Sequence, residues 1–131
     1  MVTEDYVSFE VTKLLKEKGF DEPCYAYWHE SEKRLIISQS MHAIQNITNP
    51  CFFGPAAPTL QMAMKWLREI HNLNIEIFVI KNYDKKICEY TYTIMDLNFP
   101  GSDDGIDCCN KYKTYEQACE AAIKYCLEHL I

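Results

Sequence analysis

A metal centre or a nucleophile in this 131-residue chain would have to come from seven cysteines, four histidines and nineteen acidic side chains. Their densest grouping is Asp103-Asp104-Gly105-Ile106-Asp107-Cys108-Cys109, carboxylates running into two adjacent thiols. Structural zinc sites take their cysteines from C-x₂₋₄-C knuckles, a spacing that lets both sulfurs turn toward one tetrahedral ion. That spacing does not occur among Cys24, Cys51, Cys88, Cys108, Cys109, Cys119 and Cys126. Adjacent cysteines in an extended segment point to opposite sides, which works against joint ligation by Cys108 and Cys109. The acidic run also lacks the D-x-[DN]-x-[DN]-G order and closing glutamate of a calcium loop. From these spacings no metal and no cofactor is assigned.

Thiol catalysis needs a cysteine beside a base that is itself held in place. Cys51 lies in the loop Pro50-Cys51-Phe52-Phe53-Gly54, and His42 and His71 are the candidate bases. Cys119 and Cys126, seven apart in a helical segment, fit the commoner role of small buried apolar residues. His29 closes a strand and His129 lies in the last helix, where solvated or hydrogen-bonded roles are the default. Gly19, Gly54, Gly101 and Gly105 are dispersed, so neither phosphate-cradling glycine motif is present. The glutamates fall mainly on exposed helix faces. No catalytic residue is nominated.

The elements that must position these groups are organised around residues 58–80. Thr59 is the expected N-cap of a helix whose polar residues Gln61, Lys65, Arg68 and Asn72 form one narrow stripe. Apolar residues cover the rest, which predicts a helix enclosed on more than one side. Ile75 to Ile80 is β-branched or aromatic at nearly every position and predicts a strand. A first helix is expected over 4–18, capped by Thr3 and stopped by Gly19, with Phe20 folding back on Leu15. Cys24 to His29 and Arg34 to Ser38 make a first hairpin, with Tyr25 and Tyr27 on one face and Ala26 and Trp28 on the other. Residues 40–57 and 96–113 read as loops. Ile87 to Met95 alternates, with Cys88, Tyr90, Tyr92 and Ile94 on one face. Thr114 and Gln117 have capping-box spacing ahead of a helix to about Leu130. Its expected inner face is Ala118, Cys119, Ala122, Tyr125, Cys126 and Leu130.

The predicted order is therefore α-β-β-α-β-β-α. This implies a single α+β domain over 1–131, with a four-stranded, mainly antiparallel sheet and three helices packed largely on one face. Net charge is −6, with both signs interspersed and no basic stripe, which argues against a duplex nucleic-acid partner. No apolar run approaches the ~20 residues of a membrane span. The polar, acidic start MVTEDYVSFE is unlike a signal peptide. With an odd number of irregularly spaced cysteines, this predicts a reduced, cytoplasmic setting.

Binding has positive support. Tyr25, Tyr27 and Trp28 in one hairpin and Tyr90 and Tyr92 in the other exceed what a plain core requires, and aromatics are favoured interface anchors. Ile47, Phe52 and Phe53 add apolar side chains to an irregular stretch. Tyr25, Tyr27, Ile47, Phe52 and Phe53 are the candidate interface residues, with another protein or a second copy of the chain as candidate partner; the alternative is that they tuck under the loop and close the core.

The segments VSFEVTKLLKEKGFDEPCYAYW, APTLQMAMKWLREIHNLNIEI and YEQACEAAIKYCLEHLI resemble small proteins carried by prophages and other mobile elements of gut anaerobes. The resemblance covers both ends and the middle of the chain. It implies a compact cytoplasmic protein of phage type and brings no activity with it. The expected function is non-catalytic, through protein contacts. The alternative is a metal- or thiol-dependent enzyme or regulator using the cysteine-bearing loops.

Overall fold

A computed structural model describes residues 1–38, 43–48, 50, 53–98 and 105–131. The order is α1 (Phe9–Glu17), β1 (Ala26–His29), β2 (Arg34–Ile37), α2 (Leu60–His71), β3 (Leu73–Asn82), β4 (Ile87–Asp96), β5 (Ile106–Asp107) and α3 (Tyr115–Tyr125). A π-helical stretch, Cys126–Leu130, follows α3. The class is α+β, as expected, but the expected four-stranded sheet is replaced by two antiparallel sheets, β1-β2 and β3-β4-β5. None of the helices is long and apolar enough to cross a membrane, among the described residues. The chain groups into two compact units, Met1–Ala63 with Ile131, and Met64–Leu130.

In the first unit, α1 begins later than predicted. Ser8, not Thr3, is the N-cap, its hydroxyl accepting from Val11 N–H. The reason lies upstream, where Asp5 to Val7 are held in extended pairing. Tyr6 bridges Thr59, Val7 N–H donates to the Pro58 carbonyl, and Asp5 O accepts from Leu60 N–H. The end is as the sequence implied. Gly19 takes φ +89°, its N–H reaching Lys16 O at 3.1 Å and Phe20 N–H reaching Leu15 O at 2.9 Å. These two bonds form a Schellman stop that satisfies carbonyls the last turn leaves open. Val7, Val11, Leu15, Phe20, Ala26, Ala56 and Ala57 are fully buried and make the core of this unit.

Thr59 caps α2 as expected, accepting from Met62 N–H at 3.1 Å. The polar stripe is exposed, and Lys65 meets Glu69 at 3.9 Å. The helix is less enclosed than its composition implied, because Met62 and Ile70 also face solvent. Asn72 adopts φ +55°, the left-handed residue that ends the helix.

In the second unit, β3 and β4 pair from Leu73↔Asp96 to Asn82↔Ile87 without a break. Tyr92 and Ile94 are buried as the predicted alternation of β4 requires, whereas Tyr90 is half-buried and Cys88, expected on the same face, is exposed. The expected 96–113 loop contains a third strand: β5 pairs with β4 at Thr93↔Asp107 and Ile94↔Ile106. Thr114 caps α3, its hydroxyl accepting from Gln117 N–H at 3.1 Å. The Gln117 side chain accepts from Lys113 N–H instead of closing the box on Thr114. The buried face of this helix is Ala118, Cys119, Ala122, Ile123, Cys126 and Leu127. Tyr125 and Leu130, expected inside, are half-buried, and Tyr125 packs on His129 at 4.7 Å.

Candidate functional site

The first unit is built on three backbone runs. β1 pairs with β2 on one side, and on the other with the 53–57 segment that sequence reasoning took for loop. Glu30 N–H donates to Phe53 O, Trp28 N–H to Pro55 O, and Ala57 N–H to Ala26 O. Gly54 is required there, because a Cβ would fall on the Trp28 carbonyl. Ala26 and Trp28 face inward, the indole N–H donating to Val7 O at 2.9 Å. Tyr27 and His29 share the opposite face. Phe53 stacks on His29 at 5.5 Å and 17° while remaining 59% exposed.

Tyr25 precedes this stripe and is 54% exposed. It forms one wall of an open apolar pocket of about 100 Å³, lined also by Tyr6, Pro23, Cys24, Pro58 and Met62. Two of its polar groups are already engaged. The Thr59 hydroxyl caps α2, and the Cys24 thiol donates to Glu22 O at 3.3 Å. Burial, with a smaller contribution from Glu22, pushes the Cys24 thiol up to about 12, so it stays protonated near neutrality and is no nucleophile.

One residue that sequence reasoning missed positions this surface. Asn46 is buried at 6% exposure, its Nδ2 donating to Phe20 O at 3.0 Å and its Oδ1 accepting from Ala56 N–H at 2.9 Å. It ties the stop of α1 to the run beside β1. Its neighbours repeat the tie, Gln45 donating to Asp21 O and Ile47 N–H to the Asp21 carboxylate. The sequence marks it only as a polar residue between Ile44 and Ile47. Ile47 projects to solvent at 66% exposure. Of the five candidate interface residues, Tyr25, Ile47 and Phe53 are exposed and Tyr27 is half-buried. Phe52 lies outside the described residues, as do His42, Cys51, Asp103 and Asp104.

In the second unit Tyr90 and Tyr112 are half-buried, while Tyr83 and Tyr115 are exposed. Tyr92 is buried and stacks near Tyr112 at 6.3 Å, and Tyr90 meets Tyr115 edge-on at 6.2 Å. Cys108 sits where two extra residues bulge from the strand opposite β4, between Thr93↔Asp107 and Tyr90↔Tyr112. Its sulfur accepts from Asn110 N–H at 3.3 Å and lies 3.9 Å from the Tyr112 hydroxyl. Burial first, then the neighbouring Cys108, raises the pKa of both Tyr92 and Tyr112. Burial likewise pushes Cys119 to about 11 and Cys126 to about 12. His71 Nε2 is buried without a partner among the described residues, and desolvation lowers its pKa. Its ring instead meets Trp66 at 4.6 Å. Among the described residues no group of three or more His, Cys, Asp or Glu side chains is placed to hold a metal ion. Comparison with protein families, curated proteins and solved structures finds no match to this chain.

Proposed function

We propose that the chain is a small non-catalytic binding protein that docks another protein through the Tyr25 pocket. The observation that carries this reading is the size and chemistry of the pocket. At about 100 Å³ it is well below the roughly 300–1,000 Å³ of small-molecule and cofactor sites. It suits one apolar side chain of a partner. The rim residues Tyr25 and Met62 are exposed at 54% and 40%, apolar surface of the kind that anchors interfaces. The stripe of Tyr27, His29 and Phe53 extends the surface along β1. The exposed thiols of Cys88 and Cys109 favour a reducing, cytoplasmic setting, in keeping with the phage or mobile-element type that the segments resemble.

The test is affinity capture from a host lysate with wild type, Tyr25→Ala and Met62→Lys, each checked for native circular dichroism. A partner held by wild type and lost by both variants supports the reading. A partner retained by both removes the pocket from consideration. Capture that fails only on Cys108→Ser with Cys109→Ser, together with stoichiometric zinc in the purified protein, would favour the metal- or thiol-dependent alternative.

A further inference from the structure

The second unit presents the outer edge of β3. Tyr90 and Tyr112 exchange both backbone hydrogen bonds, and Cys108 N–H donates to Tyr92 O, so the even-numbered residues of β4 are turned toward β5. The odd-numbered residues of β4 are therefore turned toward β3. The register pairs Thr91 with Phe78 and Thr93 with Glu76, which makes the even residues of β3 the ones bonded to β4. The backbone N–H and C=O groups of Ile75, Ile77, Val79 and Lys81 consequently point away from the sheet. Among the described residues no backbone hydrogen bond reaches them.

Native proteins blunt such edges with short strands, prolines, bulges or inward-pointing charges. β2 obeys this, with four residues and Arg34 at its end. β3 does not. It is ten residues long, against a usual five or six, with no proline, an unbroken register and no charge from Ile77 to Ile80. Phe78 and Val79, at its centre and on opposite faces, are 45% and 53% exposed.

We propose that the β3 edge pairs antiparallel with β3 of a second copy, joining the two three-stranded sheets into one. Alternating free N–H and C=O groups demand an extended strand as occupant, and the strand's own pattern selects itself. Its acid, Glu76, lies toward one end, while Lys81, Lys85 and Lys86 gather at the hairpin end. Parallel addition would set the lysine ends side by side, whereas antiparallel addition separates them. A two-fold axis perpendicular to the sheet keeps each side chain on its own face, so residues of like parity oppose each other. Centred on Phe78, this register sets Phe78 against its own copy and Ile77 against Val79. Lys81 then opposes Ile75 of the second copy, at the far end of the pairing from that copy's own Lys81. This dimer is independent of the Tyr25 pocket, so either proposal can fail without the other.

Sedimentation equilibrium of the full chain, from low micromolar to several hundred micromolar, should give a reversible monomer–dimer equilibrium. Val79→Lys, which buries unpaired charges in an apolar rung, should weaken it at least about tenfold. Ile37→Lys on β2 should leave it unchanged. Amide exchange should show Ile77 and Val79 protected only at dimeric concentrations, with Phe78 protected throughout. Should Val79→Lys lose its fold, Phe78→Cys replaces it. Phe78 and its copy form a non-hydrogen-bonded pair with Cα atoms ~4.5 Å apart, within disulfide reach, so glutathione disulfide should cross-link that position to itself. A monomer at every concentration overturns the proposal. So do Ile77 and Val79 amides protected in the monomer, or a dimer indifferent to Val79→Lys and uncross-linked through position 78.

Discussion

Asn46→Ala tests the scaffold beneath the proposed binding surface. The side chain is 6% exposed and joins two backbone groups distant in sequence, the Phe20 carbonyl and the Ala56 amide. Ala56 is itself fully buried, so its N–H loses its acceptor in a place water does not reach. An unsatisfied buried donor costs about 1–3 kcal/mol, and the lost bond to Phe20 adds about 0.5–1.5 kcal/mol, for a sum of about 1.5–4.5 kcal/mol. At a urea m-value of about 2 kcal/mol/M the midpoint should fall by roughly 1–2 M. The assay is urea unfolding followed by circular dichroism, with amide exchange reading Ala56 directly. Asn46→Asp supplies the contrast. It keeps an acceptor for Ala56 but turns a carboxylate oxygen toward the Phe20 carbonyl. Burial and that carbonyl raise the new carboxyl's folded pKa above its unfolded value, so its contribution is present in acid and lost as pH rises. Asn46→Asp should therefore be closer to wild type in acid than at neutrality. A midpoint shift below roughly 0.5 M, with the Ala56 amide still protected, would refute the reasoning.

Gly54→Ala should displace the 53–57 run from β1, because the new methyl falls on the Trp28 carbonyl. Overpacking of this kind costs about 1–3 kcal/mol, read as a lower urea midpoint. Ser8→Ala should cost about 1 kcal/mol as a lost N-cap, while Thr3→Ala stays within about 0.5 kcal/mol. A mildly alkaline thiol reagent should label the exposed Cys88 and Cys109 in the native protein, and Cys24, Cys119 and Cys126 only after denaturant, as peptide mapping would show. Because the native pKa values of those three are raised, their contribution to stability is present below the ordinary thiol value of 9.0. It is lost as pH climbs toward about 11 for Cys119 and about 12 for Cys24 and Cys126. Alkaline unfolding over that window, shifted upward in Cys126→Ala, checks the sign.

What the sequence made legible was whatever local chemistry decides. Gly19 stops α1, Thr59 and Thr114 cap their helices, and the alternation of β4 puts Tyr92 and Ile94 inside. What it hid depends on backbone partners far along the chain. Thr3, Glu4 and Asp5 look like a helix start, but extended pairing of Asp5 to Val7 with Pro58 to Leu60 delays the helix to Ser8. β5 and the 53–57 run are too short and aperiodic to announce themselves. β5 pairs with a strand 12 to 14 residues away, and the 53–57 run with one 23 to 31 residues away. The single four-stranded sheet was inferred from two hairpins, and nothing local shows that each instead takes a neighbour of its own. The same limit governs the site. Tyr25 was visible as an aromatic on a hairpin face, while Tyr6, Pro58 and Met62 join its pocket only because the N-terminal segment pairs with the start of α2. Asn46 carried no motif, since its importance lies in two carbonyl and amide partners that folding brings to it.

The most direct test of the binding role is the affinity of a captured partner for wild type and for Tyr25→Ala, by isothermal titration calorimetry. A hot-spot anchor is worth about 2 kcal/mol or more, roughly thirtyfold, so the variant should bind at least that much more weakly while unfolding at an unchanged urea midpoint. Equal affinity for the two proteins would contradict the account.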